Sequence, residues 1–396
     1  MNETIFYLAL FALFYSYIGY GLISYIIVKI KKRKNSKFKI SELPDYDSLP
    51  EVTVLVAAFN EEECIEEKIK NSLDLDYPEE KLNLLFVTDG STDRTTEIIS
   101  KYPKIKLLHQ KERKGKVAAV NRAMKFVDSS ITVFTDANAL INKAAIMRMV
   151  RHYKNPQVGA VAGEKKVLME LHDNASSAGE GIYWKYESLL KTWDAEINTV
   201  VGAAGELFSV RTKCFEFVKE DTIIEDFFLT LRIAQSGYKV AYEPGAYAVE
   251  TSSLSVKEEL KRKIRISAGG FQAMVRLKSL LNIFKYKLLT FQYVSHRVLR
   301  WTVSPLALVL VLILNIYLLD EGPIYSVMLI GQVIFYVFAI AGFMFENFKI
   351  RIKAFFVPYY FLAMNYSVFV GFFRYLSGNQ SVLWKRAERK RSRYTR

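Results

Sequence analysis

Hydrophobic and polar positions divide this chain into three regimes. Ile5 to Val28 is a run of 24 residues without a charge, long enough to cross a bilayer as one helix. It carries no small-residue cleavage signal and reads as an anchor rather than a removed leader. Ser36 to Pro50 is a polar linker with two prolines.

From Glu51 short apolar runs alternate with amphipathic ones. Val52–Phe59, Leu82–Thr88, Lys104–His109 and Ile131–Thr135 read as strands. Glu62–Leu73, Ser91–Ser100 and Val117–Val127 read as helices, the first two with acids in their opening turns, where the helix dipole favours them. This alternation predicts a mostly parallel sheet covered on both faces. Ligands of such sheets sit beyond the carboxyl ends of the strands, where Asn60, Asp89 and Asp136 fall. Farther on, Gly159–Val167 and Lys239–Tyr242 read as strands and Trp184–Leu190 as a helix. Gly202–Arg211 is glycine-rich and then apolar, and Asp226–Ser236 is a helix closed by Gly237.

After Gly270 the pattern changes again. Phe271–Tyr293 mixes Arg276, Lys278, Lys285 and Lys287 with Leu, Phe and Ile, the pattern of a helix lying in a membrane interface. Thr302–Leu319 and Ile324–Phe345 are apolar and joined by Asp320-Glu321-Gly322-Pro323, which predicts a transmembrane hairpin. Ala354–Phe373 is also apolar but contains Pro358 and Asn365 and runs into Arg374. The expected organisation is a membrane helix over 1–28, a basic linker over 29–50, a catalytic domain over 51–270 and interface helices over 271–300. Membrane helices over 301–376 and a basic cytosolic tail over 377–396 complete it.

Charge adds orientation. The net charge of +14 is concentrated at two places. Residues 29–39 hold seven basic groups and no acid, and residues 385–396 hold seven against Glu388. Together these clusters supply thirteen of the fourteen excess positive charges, and each follows an apolar segment. This is the positive-inside pattern of an inner or plasma membrane protein, with attraction to anionic lipid heads, and not a nucleic-acid footprint. It places the amino terminus outside and the middle of the chain in the cytosol. A crossing by 354–373 would put the basic tail outside, so a re-entrant or interfacial segment is the preferred reading there. Cys64 and Cys214 have neither metal-ligand nor disulfide spacing.

Candidate chemistry follows from placement. Asp89, in Val87-Thr88-Asp89-Gly90-Ser91, can accept from a base edge or ribose; a turn aspartate is the alternative. Asp136 and Asn138 are two oxygen ligands two positions apart after a strand, spaced to reach a hard divalent cation bridging a diphosphate. Lys116 lies where Lys114-Gly115-Lys116 opens a helix carrying Asn121, either a place for an anion or part of a solvated charge run. Asp226, after Ile223-Ile224-Glu225, is either a helix cap or the desolvated carboxylate that deprotonates an acceptor hydroxyl. Arg262 and Arg265 lie three apart on one helical face, either as a phosphate clamp or as a basic stripe under lipid heads.

Together these segments resemble membrane-embedded family 2 glycosyltransferases: the cellulose, hyaluronan, chitin and poly-N-acetylglucosamine synthases. The family's nucleotide-binding strand resembles Val54-Leu55-Val56-Ala57-Ala58-Phe59-Asn60-Glu61, and its uridine-contacting aspartate resembles Asp89. Its Gly-Lys-x-x-Ala-x-Asn stretch resembles Gly115 to Asn121. Its metal motif resembles Asp136-Ala137-Asn138, with Asn for the second Asp. Its acceptor-side glycine loop resembles Gly202-Ala203-Ala204-Gly205-Glu206-Leu207-Phe208. Its Thr-Glu-Asp base motif resembles Ile224-Glu225-Asp226, and its Gln-x-x-Arg-Trp motif resembles Arg262 to Ile266, with Arg for Gln and Ile for Trp.

The resemblance implies an α/β, Rossmann-like GT-A cytosolic domain and an inverting, metal-dependent transfer. A UDP-sugar would bind at Asn60, Glu61, Asp89, Lys116 and Asp136, with Mg²⁺ or Mn²⁺ on Asp136 and Asn138. Asp226 would be the base, Arg262 and Arg265 would hold the diphosphate, and Gly202, Gly205 and Glu225 would lie on the acceptor side. The expected acceptor is a membrane-associated glycan or a polyprenyl-linked molecule. Ile266 removes an aromatic face that polymer-making members place beside the acceptor, which favours single transfer over processive synthesis. A non-catalytic scaffold or transport subunit with a degenerate nucleotide domain is the alternative of another class.

Overall fold

The structure is a computed structural model that describes residues 1–34, 46–168, 175–251, 256–347, 352–381 and 383. Most of the expected linker and the basic run at 385–396 lie outside the described residues. The chain begins with α1 (Asn2–Phe14), which continues through a π turn at Tyr15–Gly19 into α2 (Tyr20–Lys34). The catalytic region then runs β1 (Val52–Ala58), α3 (Ile65–Leu73), β2 (Leu82–Asp89), α4 (Thr95–Ser100), β3 (Ile105–Gln110), α5 (Lys116–Met124) and β4 (Ile131–Asp136). It continues with β5 (Leu140–Ile141), α6 (Ala145–Val150), β6 (Val158–Leu168), α7 (Ala175–Ile197), β7 (Leu207–Arg211), α8 (Glu225–Gln235), β8 (Lys239–Thr251) and α9 (Val256–Arg276). Four short helical pieces, α10 (Ile283–Tyr286), α11 (Leu288–Tyr293), a π turn and α12 (Leu299–Trp301), lead to α13 (Val303–Tyr317), α14 (Pro323–Asn347) and α15 (Lys353–Leu376).

The strands form one sheet in the order β3-β2-β1-β4-β7-β6-β8-β5. Period-two alternation divides β1 between two cores. Val52, Val54, Val56 and Ala58 pack with Ile65, Ile69, Ile146 and Met149 on one face. Leu55 packs with Val117, Val120, Phe134 and Leu229 on the other. β3, β2, β1 and β4 are parallel, with Ala57 opposite Asp136 and Ala58 opposite Thr88, so their carboxyl ends share one rim.

The sheet is less purely parallel than the alternation predicts. β7 runs antiparallel to β4, with Phe208 opposite Phe134 and Leu207 opposite Thr135. This reversal brings the loop over 202–206 to the rim that already holds Asp136. Other boundaries moved for local reasons. The helix expected over Ser91–Ser100 forms only from Thr95, because the Asp93 carboxylate accepts from the backbone N–H groups of Thr95 (3.0 Å) and Glu62 (3.1 Å). The interface helix expected at Phe271–Tyr293 instead starts at Val256 and breaks after Arg276. Gly269 and Gly270 sit inside it because Ile223 and Ile224 and the Trp301 ring pack where their Cβ atoms would be.

Among the described residues three helices are long and apolar enough to cross a membrane: Asn2–Arg33, Pro323–Phe345 and Ala354–Leu376. A fourth span is possible in length if the bent pair Leu288–Trp301 and Val303–Tyr317, which meet at 50°, counts as one. Phe6 and Ala9 of α1 pack on Ala307, Val311, Leu318 and Tyr325, and the Tyr325 hydroxyl donates to Glu3 (2.8 Å). The hairpin turn therefore lies level with the amino terminus. At the other end, Lys31 donates to the carbonyls of Glu196 (3.0 Å) and Ile197 (2.7 Å) in α7.

A buried polar hub fastens the membrane part to the sheet domain. Glu187 of α7 accepts from His296 (3.3 Å), Arg297 and Arg300 (3.4 Å). Asp194, one helical face along, accepts from the hydroxyl of Tyr20 and pairs with His296 (2.6 Å). Removing one member of such a buried set strands its charged partners, a loss on the order of 3–5 kcal/mol.

Candidate active site

The site is built where β1, β2 and β4 end, because parallel strands deliver their last residues to a common edge. Asn60 follows β1 in the left-handed region (φ 52°), a conformation asparagine tolerates. Its side-chain oxygen accepts from the Thr92 N–H (2.8 Å), and its own N–H donates to the Ser91 hydroxyl (3.1 Å). Glu61 is buried, with its N–H on the Thr95 hydroxyl (2.8 Å). Asp89 ends β2, and its two oxygens accept from the N–H groups of Lys114 (2.9 Å) and Gly115 (2.7 Å). Gly115, at φ 100°, turns the chain into α5 and aims Lys116 across the rim. Asn121, which completes the motif with Lys116, ties α5 to the carbonyl of Val218 (2.7 Å).

Lys116 is the meeting point. Its ammonium lies 2.7 Å from Asp136 Oδ1 and 2.8 Å from Glu225 Oε1, so it joins the end of β4 to the start of α8. Burial works against this charge, but Asp136 and Glu225 outweigh it and raise the lysine above its usual range. Glu225 responds in the other direction: burial would raise it, yet Lys116 and Arg265 hold it below the usual carboxylate range. Asp226 is the exception. Burial first, then the adjacent Glu225 charge, push its carboxyl up to about 7, with Lys116 only partly opposing. Ile224, not Asp226, occupies the helix cap position, so capping does not account for this carboxylate.

Gly202 and Gly205 shape the opposite wall. Gly202 has φ +96°, and a Cβ there would fall 2.2 Å from the Phe227 ring. A Cβ on Gly205 would lie 3.3 Å from Asp226 Oδ2 and 3.4 Å from Lys116 Nζ. The loop backbone thus passes directly beside the two charged groups. Arg265, from α9, reaches the Ile223 carbonyl (3.4 Å). Burial lowers its pKa, and Glu225 and Asp226 offset this in part. Arg262 lies one turn back and is engaged by Glu259 through two bonds of 3.0 Å and by Glu206 at 3.7 Å. Of the two arginines, Arg265 is the one placed beside Glu225 and Asp226.

Lys116, Asp136, Asn138, Gly205, Glu225, Asp226, Arg262 and Arg265 line one cavity of about 980 Å³, and Asn60, Glu61, Asp89, Asn121 and Gly202 do not. Glu61 and Asp89 line a small adjoining recess that shares Lys116, Asp136 and Asn138 with it. Asp136 and Asn138 offer a carboxylate and an amide oxygen to a cation. Burial raises the Asp136 carboxyl, with Lys116 opposing and Glu206 adding to the rise. Among the described residues no three or more His, Cys, Asp or Glu side chains converge as a cage. The donor set therefore suits a hard cation that takes its remaining oxygens from a bound diphosphate.

Two residues at or behind the cavity carried no signal in the sequence pattern. Trp301, at the start of the stretch read as membrane helices, lies against Gly270 and against the Phe227 ring at 5.4 Å, and lines the cavity. The indole absent at position 266 is thus present in space, supplied from 35 residues downstream. Lys68 is fully buried behind the Asp136 loop and donates to the Thr135 hydroxyl (2.9 Å) and the Ala139 carbonyl (2.5 Å). A buried lysine inside an amphipathic helix looks, in sequence, like any surface lysine.

Comparison with known proteins identifies the family and the fold. Residues 53–205 match the model of glycosyl transferase family 2, and residues 131–376 match that of glycosyl transferase family group 2. The poly-beta-1,6-N-acetyl-D-glucosamine synthase of Staphylococcus aureus (strain COL) is 26% identical over 252 residues, 61% of this chain and 60% of the relative. That of Staphylococcus epidermidis is 26% identical over 266 residues, 65% and 62% of the two. The match thus spans less than two thirds of the length of these curated relatives. Among solved structures, a mannosyltransferase from Pyrobaculum calidifontis, in complex with GDP-Man and Mn²⁺, superposes with a TM-score of 0.70 over 95% of this chain and 99% of its own, at 22% identity. This likeness extends the shared fold through the membrane helices. The chain belongs to glycosyl transferase family group 2.

Proposed function

We propose that this chain moves a sugar from a UDP-sugar to a membrane-associated glycan or polyprenyl-linked acceptor in cell-surface polysaccharide synthesis, by a single inverting displacement. The observation that carries the reading is the pair Glu225 and Asp226: adjacent carboxyls in one cavity, one held ionised by Lys116 and the other raised to about 7. Pairs of titratable groups whose environments push them apart mark acid–base chemistry.

In this reading Asp226 takes the proton from the acceptor hydroxyl, whose oxygen attacks the anomeric carbon opposite the leaving diphosphate. Gly205 leaves room for that hydroxyl beside Oδ2. Arg265 takes up charge on the departing UDP. Arg262 supports it more remotely, being shared with Glu259 and Glu206. Asp136 and Asn138 would hold Mg²⁺ or Mn²⁺, which when bound neutralises the diphosphate. Lys116 holds the donor loop and the base helix in one geometry. Asp89 acts on the donor side by fixing the turn at Lys114 and Gly115 while lining the nucleotide recess with Glu61; Asn60 fixes the neighbouring Ser91–Thr92 turn. The Trp301 indole in the cavity supports polymer elongation as a second reading, since it offers a sugar the aromatic face that Ile266 lacks.

We place the catalytic domain on the cytosolic side and both ends of α15 with it. Phe355, near its start, packs on Phe345 at the end of α14 away from the hairpin turn. Near its end, a Cβ on Gly371 would meet Ser267 of α9 at 2.5 Å, and Gln380 and Leu383 line the catalytic cavity. A reporter fused at Gly378 is expected to give a cytosolic signal; an external one contradicts this topology.

Asp226→Asn is expected to lower transfer by at least ~10³-fold while a nucleotide-sugar still raises the melting temperature, since only proton removal is lost. An active Asn variant overturns the base assignment. The base works only when ionised, so its raised pKa has a definite sign. The kcat/KM of transfer is expected to fall below about pH 7, approaching roughly tenfold per pH unit, and to level off above it. A profile flat from pH 5 to 8 would be incompatible with this role.

A further inference from the structure

The cavity that holds Asp226 extends to the polar hub between α7 and α12, where Lys191 has no counter-ion among the described residues and Arg300 is satisfied only in part, by Glu187. Lys191 of α7 is only 3% exposed. Its ammonium has aromatic rings as neighbours, Trp184 at 5.8 Å and Tyr242 at 5.9 Å, and no hydrogen bond or ion pair among the described residues. Arg300 donates through Nε to the Ser16 carbonyl (3.1 Å) and through Nη1 to Glu187 (3.4 Å). Its Nη2 is buried with no hydrogen-bond partner among the described residues. Both side chains line the same cavity as Asp226 and Trp301.

Burying an unpaired ammonium and an unsatisfied guanidinium N–H costs free energy that packing does not return. The nearby carboxyls do not answer them. Glu187 is shared among Arg297, Arg300 and His296. Burial raises Glu164, the other carboxyl close to Lys191, toward its neutral form. Glu206 and Glu250 are taken by Lys165 and, for Glu206, by Arg262. The missing partner is an anion with at least two acceptor oxygens, which a phosphate supplies.

The wall next to these cations defines what else the ligand carries. Val357, Phe361, Met364 and Val368 of α15 line the same cavity. They belong to a helix apolar enough to lie in a bilayer, with Val357 45% exposed on its outer side. Phe361 meets the Tyr17 ring at 5.0 Å at the turn between α1 and α2. Cations inside, an aliphatic wall leading outward and the base beyond them match a phosphate attached to a long apolar chain.

We infer that Lys191 and Arg300 form a subsite for the phosphate of a lipid-linked acceptor, with its chain lying along α15 and its sugar directed to Asp226. The inference rests on the transferase reading and names the acceptor of that same site. It is tested on the full chain in lipid nanodiscs by tryptophan fluorescence, titrating a long-chain isoprenoid phosphate, the matching isoprenoid alcohol and inorganic phosphate. The phosphorylated lipid is expected to bind at least tenfold more tightly than the alcohol, and inorganic phosphate to compete poorly. Lys191→Met is expected to abolish the preference for the phosphorylated lipid. Equal affinity for lipid phosphate and alcohol overturns the subsite, and equal competition by inorganic phosphate overturns its lipid character; both rest on wild type alone. The thermal shift with UDP, measured on the same preparation, separates the two levels. A UDP shift with no phosphate preference removes only the subsite, and no shift with any UDP-sugar removes the transferase reading itself.

Discussion

Lys116 holds the site together. A single ammonium bridges Asp136 at the end of a central strand and Glu225 at the start of α8, elements separated by 89 residues in sequence. Three features of the chain exist to make that bridge. Gly115 adopts a positive φ so that α5 can begin with its lysine aimed across the rim. Asp89 fixes the turn before it through two backbone N–H groups. Gly205 omits a side chain where one would press on both Lys116 and Asp226. The bridge also sorts the two carboxyls electrostatically: the one in contact with the lysine stays ionised, and its neighbour, one residue on, is left with a raised pKa.

The remainder of the architecture closes the cavity around this bridge. The antiparallel β7 carries the glycine loop to the rim, and α9 brings Arg265 beside α8 while giving Trp301 space at Gly270. The membrane helices are more than an anchor. Arg297 and Arg300, just before the hairpin, meet Glu187 of the sheet domain, and the end of α15 returns to the cavity mouth. The cavity is therefore walled jointly by the sheet domain and by helices long and apolar enough to cross a membrane.

Much of the sheet and the donor rim was legible in the sequence, because parallel strands are short apolar runs and their loops carry the acids. Asp136, Lys116, Glu225, Asp226 and Arg265 all meet in one cavity. What sequence could not convey was distance in space. The position at 266 argued for a cavity without an indole, yet Trp301 fills that role of shape from another helix. Arg262 and Arg265 share the same helical face and chemistry, and Glu259 and Glu206 distinguish the engaged arginine from the one beside Asp226. Nothing in the sequence singled out Lys68 or Lys191, because helical periodicity says which face is apolar, not which polar residue is enclosed.

The central claim is that this cavity breaks the bond between a sugar and a nucleoside diphosphate. The most direct measurement is diphosphate release by the purified full chain in nanodiscs with native lipid extract, Mg²⁺ or Mn²⁺, and a panel of UDP- and GDP-sugars. Release of UDP from at least one UDP-sugar, dependent on the divalent cation, is the expected result. A folded preparation that releases no diphosphate from any donor would contradict it.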